Sequence, residues 1–169
     1  MSTGVAVAIL GVVLVGSYLL MWRGWRSRAR RHASLPDLPG PLAVAEPVFG
    51  PVDGSYLGTT TAGDWLDRVV ARGLGRRGDV AVTVTEAGVT LRRSTEPDLV
   101  IPAPALRAVR IDRAAAGRAV RRPEYLIITW AHGDHELDTA LRPHHQGDLT
   151  RLQPAIAALG AHRAPEPDL

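Results

Sequence analysis

The side chains best suited to chemistry lie near the end of the chain. His132, Asp134 and His135 surround Gly133, and His144 and His145 follow. Imidazole and carboxylate can together hold zinc or nickel. Yet His132-Gly133-Asp134-His135 has the composition of a tight hairpin turn, where polar residues are needed without any ligand. His144-His145 falls in the loop before a helical pattern, so no metal ligand is assigned. Asp64/Asp67 and Asp134/Glu136/Asp138 bring carboxylates together. Asp64 is explained as a helix cap and Asp134 as a turn residue, while Glu136 and Asp138 share the outer face of a strand.

Gly73-Leu74-Gly75-Arg76-Arg77-Gly78 matches G-x-G-x-x-G. A dinucleotide fingerprint must follow a strand and open a helix. Here the order is inverted, so the glycines read as a flexible connection. The chain has no cysteine, which removes disulfides, thiol nucleophiles and cysteine-held metals. G-x-S-x-G and H-E-x-x-H are absent, and no nucleophile stands beside a base and an orienting group. The expectation is a protein that is not an enzyme, with no catalytic residue and no cofactor.

The elements that would position these residues are short and alternating. Residues 55–61 predict a first strand. Val80, Val82 and Val84 share one face of a second, residues 79–85, and Glu86-Ala87-Gly88 turns it into a third at 89–93. Residues 99–101, 108–112, 125–130 and 136–141 supply four more, the last two joined at Gly133. Asp64 caps a predicted helix through Arg72, with Trp65, Leu66 and Val69 as its apolar stripe. Leu149, Leu152, Ile156 and Leu159 set a final helix ending at Gly160 as its C′ residue; Pro154 kinks it unless it begins near Thr150.

Before these strands lies a different kind of sequence. Residues 4–22 are uncharged and apolar and end at an arginine cluster, Arg23, Arg26, Arg28, Arg30 and Arg31. Such a run is long enough for a transmembrane helix of roughly 20 residues. Tyr18, Trp22 and Trp25 suit the interfacial aromatic belt at its basic end. The N-terminus lacks a basic n-region and no A-x-A-like site follows, which argues against a cleaved signal peptide. By the positive-inside rule the segment is a single-pass plasma-membrane anchor, with its N-terminus outside and the remainder cytoplasmic. Residues 23–32 form a basic juxtamembrane segment. Residues 33–54, rich in proline and glycine, predict a semi-stiff linker. A domain over residues 55–160 and a disordered tail at 161–169 complete the chain.

The net charge of +3 divides unevenly. Five of the 20 basic residues precede residue 33, where no acidic residue occurs, leaving 15 basic against 17 acidic. A mildly acidic domain is a poor partner for nucleic acid. The basic residues are all arginine, which with abundant Ala, Gly and Val suggests a high-GC genome.

The fold class is mainly β (α+β): a seven-stranded bent antiparallel sandwich or barrel closed by a C-terminal helix and preceded by one transmembrane helix. The order of elements, Tyr56-Leu57-Gly58-Thr59-Thr60, the Gly88 hairpin and the Leu149–Leu159 helix resemble the pleckstrin-homology superfold. As a whole the chain resembles actinobacterial single-span membrane proteins with a bacterial pleckstrin-homology-like (PH-like) domain. The resemblance implies a non-catalytic binding module that presents a sheet face, a strand edge or the barrel end to a protein or lipid. Phosphoinositide-binding members carry a basic motif across the first hairpin. Here that region holds Arg68, Arg72, Arg76 and Arg77, which are candidates for contact with anionic headgroups. The alternatives are an accessory subunit of an envelope or export complex, and, third, a small hydrolase or metal-binding protein using the histidine-rich loops.

Overall fold

The computed structural model describes residue 4 and residues 9–22, 35–43 and 45–161. The chain divides into two units between residues 34 and 35. In the first, residues 9–22 form helix α1, and Leu10, Val12, Leu14, Leu20 and Met21 are all more than half exposed. Among the described residues no helix is long and apolar enough to cross a membrane. The span expected over residues 4–22 lies partly outside the described residues, and Arg23, Trp25, Arg26, Arg28, Arg30 and Arg31 lie wholly outside them. Tyr18 and Trp22 are exposed on α1.

In the second unit the alternating segments become strands. These are β1 (Phe49–Thr61), β2 (Gly78–Thr85), β3 (Gly88–Arg93), β4 (Leu99–Pro102) and β5 (Leu106–Asp112). Two short strands, β6 (Ala114–Ala115) and β7 (Arg118–Ala119), precede β8 (Tyr125–His132), β9 (His135–Pro143) and helix α2 (Gln146–Ala161). Seven strands form one antiparallel sheet in the order β4-β3-β2-β1-β9-β8-β5. The β6–β7 ribbon stands apart from it.

Period-2 alternation sends one set of side chains inward. Val80, Val82, Leu91, Ile101, Leu126, Ile128 and Leu141 fill the core, and Leu149, Leu152 and Ile156 of α2 close it. Each such side chain, fully buried, contributes roughly 1.5–3 kcal/mol before entropy is counted. Two glycines set the hairpins. Gly88 has φ +147°, and a Cβ there would meet the Ile101 carbonyl oxygen at 2.3 Å. Gly133, at φ +57°, turns β8 into β9.

The outer face carries a second apolar cluster. Leu57, Tyr125, Ile127 and Ala140 are covered by Ala115, Ala116 and Val120, so the β6–β7 ribbon acts as a lid over β1, β8 and β9.

Three expectations are corrected. Residues 33–54 are not wholly a linker: Phe49–Gly54 belong to β1, and Leu35 is buried in the core at 2% exposure. Residues 64–72 form turns and a 3₁₀ segment at Ala71–Gly73 rather than a helix. The Asp64 carboxylate still accepts from the Leu66 and Asp67 amides, but the chain is then drawn onto β1, where the Val69 N–H donates to the Thr59 carbonyl. Gly160 lies inside α2, which runs to Ala161, and is not its C′ residue. Pro154 is also interior but exposed, so water can reach the Thr150 carbonyl it leaves without an intrahelical donor.

Candidate functional site

Among the described residues β5 is the last strand of the sheet and pairs only with β8. Helix α2 packs against it. Between them runs a groove of about 350 Å³, lined by Leu106, Arg107, Ala108, Val109, Ile156, Ala157 and Gly160. Ala157 and Gly160 are three apart on α2, so two small residues hold the groove open. A Cβ at Gly160 would meet nothing within 4 Å. Leu106 and Ile156 give it an apolar floor, both almost fully buried. One wall is an open strand edge, the geometry that accepts an added extended segment through main-chain hydrogen bonds. Arg107 lies at its start and donates to the Pro104 and Leu106 carbonyls.

The four arginines proposed from the sequence are not one cluster. Arg72 pairs with Asp37 at 2.8 Å and Arg76 with Glu96 at 3.0 Å. Arg68 and Arg77 converge instead on one backbone oxygen, that of Ala116, at 2.5 and 3.0 Å. They also donate to the Gly75 and Leu57 carbonyls, and so pin the ribbon over the sheet. Burial, then repulsion from Arg68 and Arg118, lowers the Arg77 pKa.

One charged arrangement was not visible in the sequence. Asp138 on β9 is nearly buried, and both its oxygens bond to Arg110 of β5. Thr129 donates to it at 2.6 Å and the Gly63 amide at 3.3 Å. Burial works against its ionisation, but these donors outweigh burial and hold its pKa below the usual carboxylate value. Its alternation had placed it on the outer face beside Glu136; what covers it, Arg110 and the residue 62–64 loop, is set by topology alone.

The four described histidines, His132, His135, His144 and His145, do not converge. His132 donates from Nε2 to the Pro36 carbonyl at 3.2 Å and lies against Trp130, with ring centroids 5.4 Å apart. His135 faces it across the hairpin. His144 and His145 line a separate groove with Asp53 and Asp148. Among the described residues no group of three or more His, Asp or Glu side chains is placed to hold a metal ion. Gly73–Gly78 connects the 3₁₀ turn to β2 and opens no helix.

A bent seven-stranded antiparallel sheet, closed by a C-terminal helix beside an open strand edge, defines a PH-like domain. The Bacterial PH domain-like family matches residues 32–157, and the chain belongs to that family. The matched region begins close to the buried Leu35 and takes in the whole sheet. No curated protein sequence matches the chain.

Proposed function

We propose that the chain is a membrane-anchored, non-catalytic binding module, and that the groove between β5 and α2 takes an extended segment of a protein partner. The observation that carries this reading is the pairing of an unpartnered strand edge with an apolar groove kept open by Ala157 and Gly160. Main-chain bonding to β5 would supply affinity, and side chains at every second position of the partner would enter the groove. The apolar residues 4–22 and the arginines after them support anchoring in the plasma membrane, with the domain on the cytoplasmic side.

A photo-crosslinking residue at position 157 of the full chain, expressed in its native membranes, tests the groove. Crosslinking to a distinct protein, abolished by Ala108→Pro, is the expected result. Crosslinking that persists in Ala108→Pro excludes strand addition. Deleting residues 1–32 separates this reading from that of an accessory subunit held by its span: a binding module still captures its partner, and a span-held subunit loses it.

A further inference from the structure

The β6–β7 ribbon is no part of the main sheet, yet it seals an apolar strip on the sheet's outer face. Alternation sends Leu57, Tyr125, Ile127 and Ala140 outward, away from the main core. All four are nevertheless at most 6% exposed, because the ribbon lies over them. The cover is light: the methyl groups of Ala115 and Ala116 and the side chain of Val120.

The ribbon is attached at its two ends. At the base the Glu124 N–H donates to the Asp112 carbonyl at 3.2 Å, and the Asp112 carboxylate accepts from the Arg113 and Ala114 amides. At the tip Ala116 and Gly117 turn β6 into β7 with φ +45° and +76°, the two positive values of a type I′ turn. Alanine is strained in that conformation, and its methyl is tucked against the strip. Three bonds fasten the tip to the β1–β2 connection. The Gly117 amide donates to the Trp65 carbonyl at 2.9 Å, and Arg68 and Arg77 both donate to the Ala116 carbonyl oxygen. Two guanidiniums thus share one neutral acceptor. Among the described residues neither forms an ion pair, so their mutual repulsion works against the bonds that hold the tip.

We propose that the ribbon is a latched lid: it swings about the Asp112–Glu124 base, with Arg68 and Arg77 as its latch, and uncovers Leu57, Tyr125 and Ile127 while the seven-stranded sheet stays folded. Among the described residues its strands pair only with each other, so the sheet loses no ladder bond when the lid opens. The main core contains no ribbon residue and keeps its packing. A segment held in this way opens at far lower cost than the whole domain. The lid is separate from the β5 groove, and nothing in it depends on strand addition.

The chain lacks cysteine, so single thiols in the full chain report the opening. Ala140→Cys places one under the lid, and Val82→Cys places one in the main core. Labelling by an aqueous disulfide reagent is expected to be at least about ten-fold faster at position 140. Its urea dependence should also be shallower there, because lifting the lid exposes little surface. Arg68→Gln/Arg77→Gln should raise the rate at 140 several-fold more than the rate at 82. Equal rates with equal urea dependence overturn the proposal, since the strip is then uncovered only by unfolding. A double variant that changes both rates by the same factor overturns it too, because the arginines are then no latch. Ala115→Cys, buried between ribbon and sheet, makes the same comparison where Ala140→Cys fails to fold.

Discussion

Trp130 and Tyr56, on β8 and β1, are joined through the core by a hydrogen-bond chain that runs in one direction. The Trp130 indole N–H can only donate, and it donates to the Thr139 hydroxyl at 2.9 Å. At the other end the Tyr56 hydroxyl donates to the Leu74 carbonyl at 2.8 Å, which can only accept. The two links between, Thr139 to Thr59 at 2.8 Å and Thr59 to Tyr56 at 2.7 Å, must then point the same way. Every polar atom in the chain is satisfied, and the 69–74 segment is fastened to the middle of the sheet. Arg93 completes this region, lying over the Tyr56 ring and donating to the Pro97 and Gly73 carbonyls.

Thr139→Val keeps the volume of the side chain but leaves the Trp130 indole N–H without its acceptor in the core. Stranding a buried donor costs about 1–3 kcal/mol. Urea unfolding should show a lower midpoint with an unchanged m-value, since the surface exposed on unfolding stays the same. An unchanged midpoint would mean the chain adds nothing to stability.

The Tyr56 hydroxyl gives a pH dependence at the alkaline end. Burial pushes its pKa up to about 12, against 10.0 for an ordinary tyrosine. The folded state thus keeps a proton that the unfolded state loses first. Stability from this group is complete below about pH 10 and falls as pH rises towards 12, by about 2–3 kcal/mol in all. Tyr56→Phe should be less stable at neutral pH and show a shallower alkaline decline. Parallel urea midpoints at pH 8 and at about pH 11 check both statements.

Much of this architecture could be read from residue order. Val80, Val82 and Val84, the turn at Gly88 and the hairpin at Gly133 announce themselves because each pattern is local. Seven strands and a closing helix were expected, and seven strands and a closing helix form the main sheet and its cap. What escaped depends on contacts far apart in sequence. Leu35 is one apolar residue in a proline-rich stretch, and it is held in the core beside contacts from Arg72 and His132, far along the chain. Trp65, Leu66 and Val69 do have helical spacing, but hydrogen bonds from Val69 and to Leu74 draw the segment onto Thr59. The β6–β7 strands are two residues each, too short to show a period. That Arg68 and Arg77 meet at the Ala116 carbonyl, 39 or more residues away, has no local signature. Residues 113–122, which hold four arginines and no acid, are legible only as a charged run. The β5 edge becomes a candidate only once strand order is known.

Asp138 gives the opposite pH signature. Its carboxyl is held below the usual value, so the unfolded state binds a proton first as pH falls. Stability from the Arg110–Asp138 pair is present above about pH 4 and lost progressively below it. Asp138→Asn should flatten the acid limb. Arg110 is 42% exposed, so water can rehydrate it, and the cost at neutral pH should be only about 1–3 kcal/mol. Thermal unfolding between about pH 3 and 7 separates the variant from the parent chain.

The last prediction concerns where the folded domain begins. Leu35 is buried to 2% exposure and packs in the main core. The His132 bond to Pro36 and the Arg72 pair with Asp37 hold the residues after it in place. Leu35→Ala should therefore cost about 2–4 kcal/mol, the range for truncating a buried leucine where the surroundings relax only partly. Removing residues 1–34 should leave the urea midpoint of the second unit unchanged, whereas removing residues 1–44 should lower it by at least as much as Leu35→Ala. Equal midpoints for the two truncations would show that residues 35–44 are a spacer and that folding starts at β1.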